Sequence, residues 1–142
     1  MSVNKIFLDA SYVIALSSQS DQYHNKAKII AEQLEDKGTS LITTRAVILE
    51  VGNALAKRGY RDAAIKLISA LETDINIEII SLSEELYKRA FQLYQERRDK
   101  EWGITDCISF VVMKDYDLVK SLTTDKHFQQ AGFQALLLLP VR

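Results

Sequence analysis

Cysteine is almost missing from this chain. Cys107 is the only one in 142 residues, so no intramolecular disulfide can form, and its place inside an apolar run marks it as a small core residue of a reducing compartment rather than a catalytic thiol. Histidine is nearly as scarce. His24 and His127 have no third ligand at a recognisable spacing, which argues against a zinc site, and both are expected to be structural. No apolar run reaches membrane-spanning length, and Met1 to Lys5 leads straight into a strand-like segment without the long apolar stretch of a signal peptide. A cytoplasmic protein that does not enter a membrane is therefore expected. An excess of charge is missing too. With 18 Lys+Arg against 19 Asp+Glu, the net charge is -1 and the pI about 6.1, so attachment to nucleic acid by bulk positive charge is excluded, while a local basic rim around an acidic site is not. Proline occurs once, at Pro140, and no linker, repeat or low-complexity segment interrupts the chain.

What is present suits a single domain over residues 1–142: 47% hydrophobic residues and 26% charged residues give a substantial core under an ordinary polar surface. The chain is best read around Glu101 to Met113. From Cys107 to Met113 every residue except Ser109 is apolar, with no period-two alternation and no Gly or Pro, which predicts a helix buried on most sides. Asp106 stands at its mouth. A carboxylate there is either a capping and dipole charge or a functional acid aimed into a cleft.

Lys5 to Leu8 reads as a short buried strand ending at Asp9. A brief helical turn over Tyr12 to Leu16 follows, then a helix capped near Ser20-Asp21, with Tyr23, Ala27, Ile30 and Leu34 on one face and Gly38 as its stop. Ser40 to Thr43 is a second strand, and Thr43 or Thr44 caps a helix whose buried stripe runs through Val47, Val51, Ala54 and Leu55. Glu50 intrudes on that stripe and is expected to point inward, a costly position for a carboxylate without a partner. After Gly59 comes a helix with Ala64, Leu67, Ile68 and Leu71, then a third strand in which Ile75, Ile77 and Ile79 alternate. Ser81 with Glu84 resembles a capping box for the next helix, which ends at the charged loop Arg97-Arg98-Asp99-Lys100. Leu118 to Leu122 is a fourth strand, Lys126 to Ala131 a short helix, and Phe133 to Leu139 a fifth strand closed by Pro140. Strands alternating with helices imply an α/β three-layer sandwich, with a central, mostly parallel sheet of about five short strands flanked by helices.

In such a sheet ligands bind beyond the C-terminal strand ends, where the strand order switches. Asp9 and Asp125 fall at strand ends, and Glu50 and Asp106 lie near the starts of helices that can face the same crevice. Four converging acids repel by roughly 4 kcal/mol per pair at about 4 Å in an effective dielectric near 20. A divalent cation removes that conflict. Oxygen ligands without a Cys or His cluster favour Mg²⁺ or Mn²⁺, as one ion or two, and suit phosphoryl chemistry.

The residues that carry this pattern also carry a resemblance. Phe7-Leu8-Asp9-Ala10-Ser11, Glu50 with Asn53 and Leu55, Thr105-Asp106-Cys107-Ile108-Ser109-Phe110 and Thr123-Thr124-Asp125-Lys126-His127-Phe128, taken in order, resemble the PIN-domain ribonucleases of the VapC toxin kind over essentially the whole chain. The resemblance implies a metal-dependent endoribonuclease with Asp9, Glu50, Asp106 and Asp125 as the catalytic, metal-holding quartet. It makes Ser11 and Thr123 supporting polar groups. It also implies an RNA substrate, a small cognate antitoxin and a homodimer.

Each acid has a plainer reading beside this one. Asp9 and Asp125 could cap local turns, and Glu50 could pair with Arg45 or Lys57. Ser109 could bond within the site or back to its own helix, and Trp102 could stack on a base but is better read as an anchor for the helix entrance. Arg97, Arg98 and Lys100 are the favoured phosphate contacts. Two other functions compete. A phosphoacceptor signalling domain wants an acidic pair after the first strand and a lysine near the last, and the chain has neither. A non-catalytic RNA- or protein-binding module on the same fold is the main alternative.

Overall fold

The computed structural model describes residues 5–140. Five strands, β1 (Lys5–Leu8), β2 (Ser40–Thr44), β3 (Ile77–Ile80), β4 (Lys120–Leu122) and β5 (Gln134–Ala135), form one sheet in the order β3-β2-β1-β4-β5. Every pairing is parallel. The helices are α1 (Ala10–Ser17), α2 (His24–Lys37), α3 (Arg45–Ala54), α4 (Arg61–Thr73), α5 (Glu84–Glu96), α6 (Ile104–Asp115) and α7 (Lys126–Gln130). A parallel sheet needs a crossover between neighbouring strands, and helices in that role cover its faces, so its central strands are apolar throughout. Phe7, Leu8, Ile42 and Leu122 accordingly have almost no solvent exposure. The order switches between β1 and β4: from β1 the chain goes on to β2 on one side, while β4 lies on the other. Asp9 immediately follows β1, and Thr123 to Asp125 immediately follow β4.

The apolar run does form a buried helix. All seven residues from Cys107 to Met113 in α6 are buried. Phe110 holds α6 through two edge-to-face contacts, with Trp102 at 4.9 Å and with Phe128 of α7 at 5.0 Å between ring centroids, and Phe128 in turn meets Phe7 of β1 at 6.2 Å. Such pairs add directional attraction to the area they bury. Trp102 is the anchor of the helix entrance: it is buried, its Nε1 donates to Gln130 Oε1 at 3.0 Å, and the Arg97 guanidinium lies 5.1 Å from its ring centre.

Several boundaries differ from those read off the sequence. The fifth strand is two residues long, and Leu136–Leu138 turn into a 3₁₀ helix. Its ladder with β4 ends at Ser121↔Ala135, and beyond it Leu137 donates its N–H to Thr123 O and buries its side chain. Ile75 is 97% exposed, because Asn76 N donates to Asp74 Oδ1 and Ile77 N to Asp74 O, a turn that delays β3 to Ile77. The cap of α5 is Ser83, whose Oγ accepts from Leu86 N at 3.1 Å, and not Ser81. Leu118 and Val119 precede β4: Asp117 takes a left-handed φ of 54° and Leu118 N bonds back to Met113 O, closing α6. The turn expected over Tyr12 to Leu16 is the eight-residue α1. Of the two threonines before α3, Thr44 is the cap, accepting from Val47 N, while Thr43 Oγ1 donates to Leu8 O.

Phe110→Ala should destabilise the protein by about 3–5 kcal/mol, measured by urea denaturation, whereas Phe91→Ala on the exposed face of α5 should cost less than about 1 kcal/mol.

Candidate active site

β1 delivers Asp9 and then stops, because the next residues begin α1 and leave the carboxylate at the strand end. Asp9 is 7% exposed. Ser11 Oγ donates to its Oδ2 at 2.8 Å and Thr123 Oγ1 at 2.7 Å, so hydroxyls from α1 and from the end of β4 fix the same oxygen. Those hydroxyls are held in turn: Ser11 Oγ accepts from Thr124 N and Thr123 Oγ1 accepts from Asp125 N, both at 3.0 Å. The supporting role expected of Ser11 and Thr123 is therefore a closed network that ties Asp9 to the loop carrying Asp125.

Asp106 lies in the first turn of α6, where its Oδ2 accepts from Gly103 N at 3.1 Å. Asp125 precedes α7, and its Oδ1 accepts from His127 N at 2.9 Å. Both acids thus make the local capping bonds of the plainer reading, yet each spends one oxygen on them. Oδ1 of Asp106 and Oδ2 of Asp125 take no hydrogen bond from any described residue. Glu50, on α3, pairs with neither Arg45 nor Lys57; Arg45 is engaged with Glu72 at 2.6 Å. Glu50 instead lines, with Asp9, Asp106, Asp125, Ser11 and Ala54, a cleft of about 240 Å³. The stripe expected on α3 divides there: Val47 and Val51 enter the core, while Ala54 is exposed and faces the cleft beside Glu50.

The sequence reading gave His127 no functional place. Its Nδ1 lies 3.1 Å from Asp106 Oδ2 and 3.3 Å from Asp125 Oδ1, and one ligand atom from each of Asp106, Asp125 and His127 falls within 4.8 Å of the others. The available signal was its position two residues after a strand-end acid, but its contact with Asp106 exists only because α6 and α7 pack together. Arg97 is a poorer phosphate contact than expected, since its Nε and Nη2 bond Asp99 at 3.0 and 2.9 Å and its guanidinium covers Trp102. Lys100 lies 4.0 Å from the same Asp99, and Arg98 is exposed with no ion pair among the described residues. The Ser109 hydroxyl is buried without a partner and does not line the cleft.

The acids carry the electrostatic mark of convergence. Burial, and then the charges of Asp9, Asp106 and Asp125, push the Glu50 carboxyl up to about 7. Burial raises Asp9 against the lowering effect of its Thr123 and Ser11 hydrogen bonds, and it raises Asp106 against that of the Gly103 N–H. No lysine or arginine among the described residues pairs with any of the four. Asp106 and Asp125, each with a free oxygen, are acids whose ligand atoms come within 4.8 Å of one another, while Asp9 and Glu50 line the same cleft outside that group; carboxylate oxygens of this kind are the donors a hard divalent cation takes.

Architecture and site together define a doubly wound α/β domain with an acidic cleft at its switch point. The PIN domain family model matches residues 6–134, and the chain belongs to that family. It is 27% identical over 129 residues to the 23S rRNA-specific endonuclease VapC20 of Mycobacterium tuberculosis, covering 90% of this chain and 95% of that protein. The crystal structure of M. tuberculosis VapC20, a Sarcin-Ricin loop cleaving toxin, superposes with a TM-score of 0.79 at 24% identity, again over 90% and 95% of the two chains. VapBC2 from Rickettsia felis, bound to a DNA fragment from its promoter, superposes with a TM-score of 0.67 at 13% identity over 92% and 96%. Both structures share the fold of this chain.

The raised carboxyls set the pH dependence of the metal-free protein. Between the ordinary Glu value of 4.5 and about 7, the folded state holds a proton at Glu50 that the unfolded state has lost, so stability falls as pH rises through this window and levels off above it. Asp9 and Asp106 act in the same direction. In EDTA, Glu50→Gln should melt a few degrees above the parent at pH 7.5, roughly 3–4 °C for each kcal/mol recovered. The two melting curves should converge near pH 4.5, as followed by circular dichroism.

Proposed function

We propose that the chain is a divalent-metal-dependent endoribonuclease, the toxin of a toxin–antitoxin pair, in which Asp9, Glu50, Asp106 and Asp125 form the catalytic site. The observation that carries this reading is the convergence of four carboxylates, without a compensating lysine or arginine among the described residues, on one cleft at the switch point of the sheet. The VapC20 relative, an rRNA endonuclease aligned over nearly its full length, supports RNA as the substrate class. A small antitoxin partner and a homodimer belong to the same reading.

A bound Mg²⁺ or Mn²⁺, as one ion or two, would supply an activated water and neutralise charge on the phosphate oxygens. The chain's own residues do the positioning. Asp9, pinned by Ser11 and Thr123, offers a fixed carboxylate from the sheet. Asp106 and Asp125 present their free oxygens while the Gly103 and His127 N–H groups hold their other ones. Glu50, which faces the same cleft from α3, is the proposed acceptor of the proton released when water attacks the phosphodiester. Arg98 is the cation of the α5–α6 loop left available to hold the RNA backbone.

Asp106→Asn should keep the parent melting temperature within a few degrees and lower metal-dependent RNA cleavage by about 10²–10³-fold. Equal cleavage rates in the purified variant and the parent would show the mechanism to be wrong. In the Asp106→Asn background, Arg98→Ala should weaken RNA binding and reduce the slope of log affinity against log salt by about 0.7, the share of one phosphate contact on a single strand. Fluorescence anisotropy across a salt series measures both.

A further inference from the structure

We propose that His127 is a positioning residue: from behind the cleft its Nδ1–H fixes the Asp106 carboxylate and couples it to the loop that carries Asp125. The inference rests on the nuclease reading of the cleft. It starts from a gap in the hydrogen bonding of the acids. Asp9 and the Asp125 loop belong to one network, closed by Ser11, Thr123 and Thr124 N, that spans α1 and the segment after β4. Asp106 is outside it. The Gly103 N–H that holds its Oδ2 comes from the entrance of its own helix, so that bond travels with α6 and cannot set Asp106 relative to the other acids. Among the described residues, the one hydrogen bond between the Asp106 carboxylate and another part of the fold is with His127 Nδ1, at 3.1 Å.

The direction of that bond follows from its surroundings. Asp106 Oδ2 already accepts from Gly103 N, and Asp125 Oδ1, 3.3 Å from the same ring nitrogen, accepts from the backbone N–H of His127. Facing two acceptors, Nδ1 carries the proton and donates. Asp106 Oδ2 then has two donors, one from the entrance of α6 and one from α7. Ser11 and Thr123 make the same pattern at Asp9 Oδ2, from α1 and from the end of β4. Two donors from different elements at one oxygen fix the rotation of a carboxylate, and so the direction of its free oxygen. His127 is not among the residues that line the cleft, so it acts through Asp106 and not on a bound ion or on RNA.

The test compares three substitutions in the full chain. His127→Asn carries an N–H on the atom corresponding to Nδ1, His127→Gln carries it one bond further out, and His127→Ala has none. In calorimetric titration with Mg²⁺, His127→Asn should stay within about threefold of the parent, whereas His127→Gln and His127→Ala should bind roughly 10–100-fold more weakly, the usual loss for a partner of a metal ligand. RNA cleavage should fall in the same order. RNA affinity in EDTA, followed by fluorescence anisotropy, should be unchanged in all three. Parent-like Mg²⁺ affinity in His127→Ala, a loss in His127→Asn as large as in His127→Ala, or weakened RNA binding in EDTA would each overturn the positioning role. The nuclease reading would stand in those cases as long as the parent binds Mg²⁺ and cuts RNA. A parent that does neither would overturn both. Should His127→Ala fail to fold, the contrast between the Asn and Gln variants decides.

Discussion

The constraint on which the rest of this structure depends is the mutual repulsion of four carboxylates gathered at one cleft. Nothing about a parallel α/β sheet requires acids at its switch point, and burial makes each of them harder to ionise. The fold bears that cost by distributing the acids over separate rigid elements. Asp9 ends a central strand, Asp125 follows its neighbour, and Glu50 and Asp106 lie on two different helices. Asp9, Asp106 and Asp125 are moreover each tied down by hydrogen bonds to one oxygen.

What resists movement of these elements is a chain of aromatic rings directly beneath the site. Phe7 precedes Asp9 by two residues, Phe128 follows Asp125 by three, and Phe110 follows Asp106 by four. Through the contacts of Phe110 with Phe128 and of Phe128 with Phe7, the strand, the buried helix and the short helix that supply three of the acids share one piece of core. Trp102 extends the same cluster to the entrance of α6. The apolar sequence around each acid is therefore its mounting. A core truncation at Phe110 acts on the site through geometry even though it removes no polar group from it.

How much of this could be read in the sequence follows from the range of the interactions. The acids were legible because each sits where composition marks a place: an apolar run ending at Asp9, another beginning after Asp106, the end of the fourth strand before Asp125 and an acid intruding on an apolar stripe at Glu50. Boundaries that depend on a neighbour were not. The leucine run at 136–139 looks like a strand, yet it turns into a 3₁₀ helix that bonds back to the residue after β4, and Ile75 fits the alternation of β3 until Asp74 turns the chain ahead of it. Ser81 and Ser83 offer the same hydroxyl, and the choice falls to the serine whose bond to Leu86 N starts the helix with that side chain in the core. His127 was hidden for the same reason. Its contact with Asp106 spans 21 residues and exists only after two helices have packed.

The plain and the functional readings of the acids turn out not to compete. A carboxylate has two oxygens, and capping a helix or a turn occupies one of them. Asp106 gives Oδ2 to Gly103 N and Asp125 gives Oδ1 to the His127 N–H. Asp9 likewise gathers both of its hydroxyl donors on Oδ2. A local hydrogen bond of this kind contributes about 1 kcal/mol to stability, but its larger effect here is directional, because fixing one oxygen fixes the plane of the group and so the direction of the other. Local capping chemistry is thus the means by which this fold orients its acids, and a sequence signal that reads only as a helix cap is compatible with a ligand at the same residue.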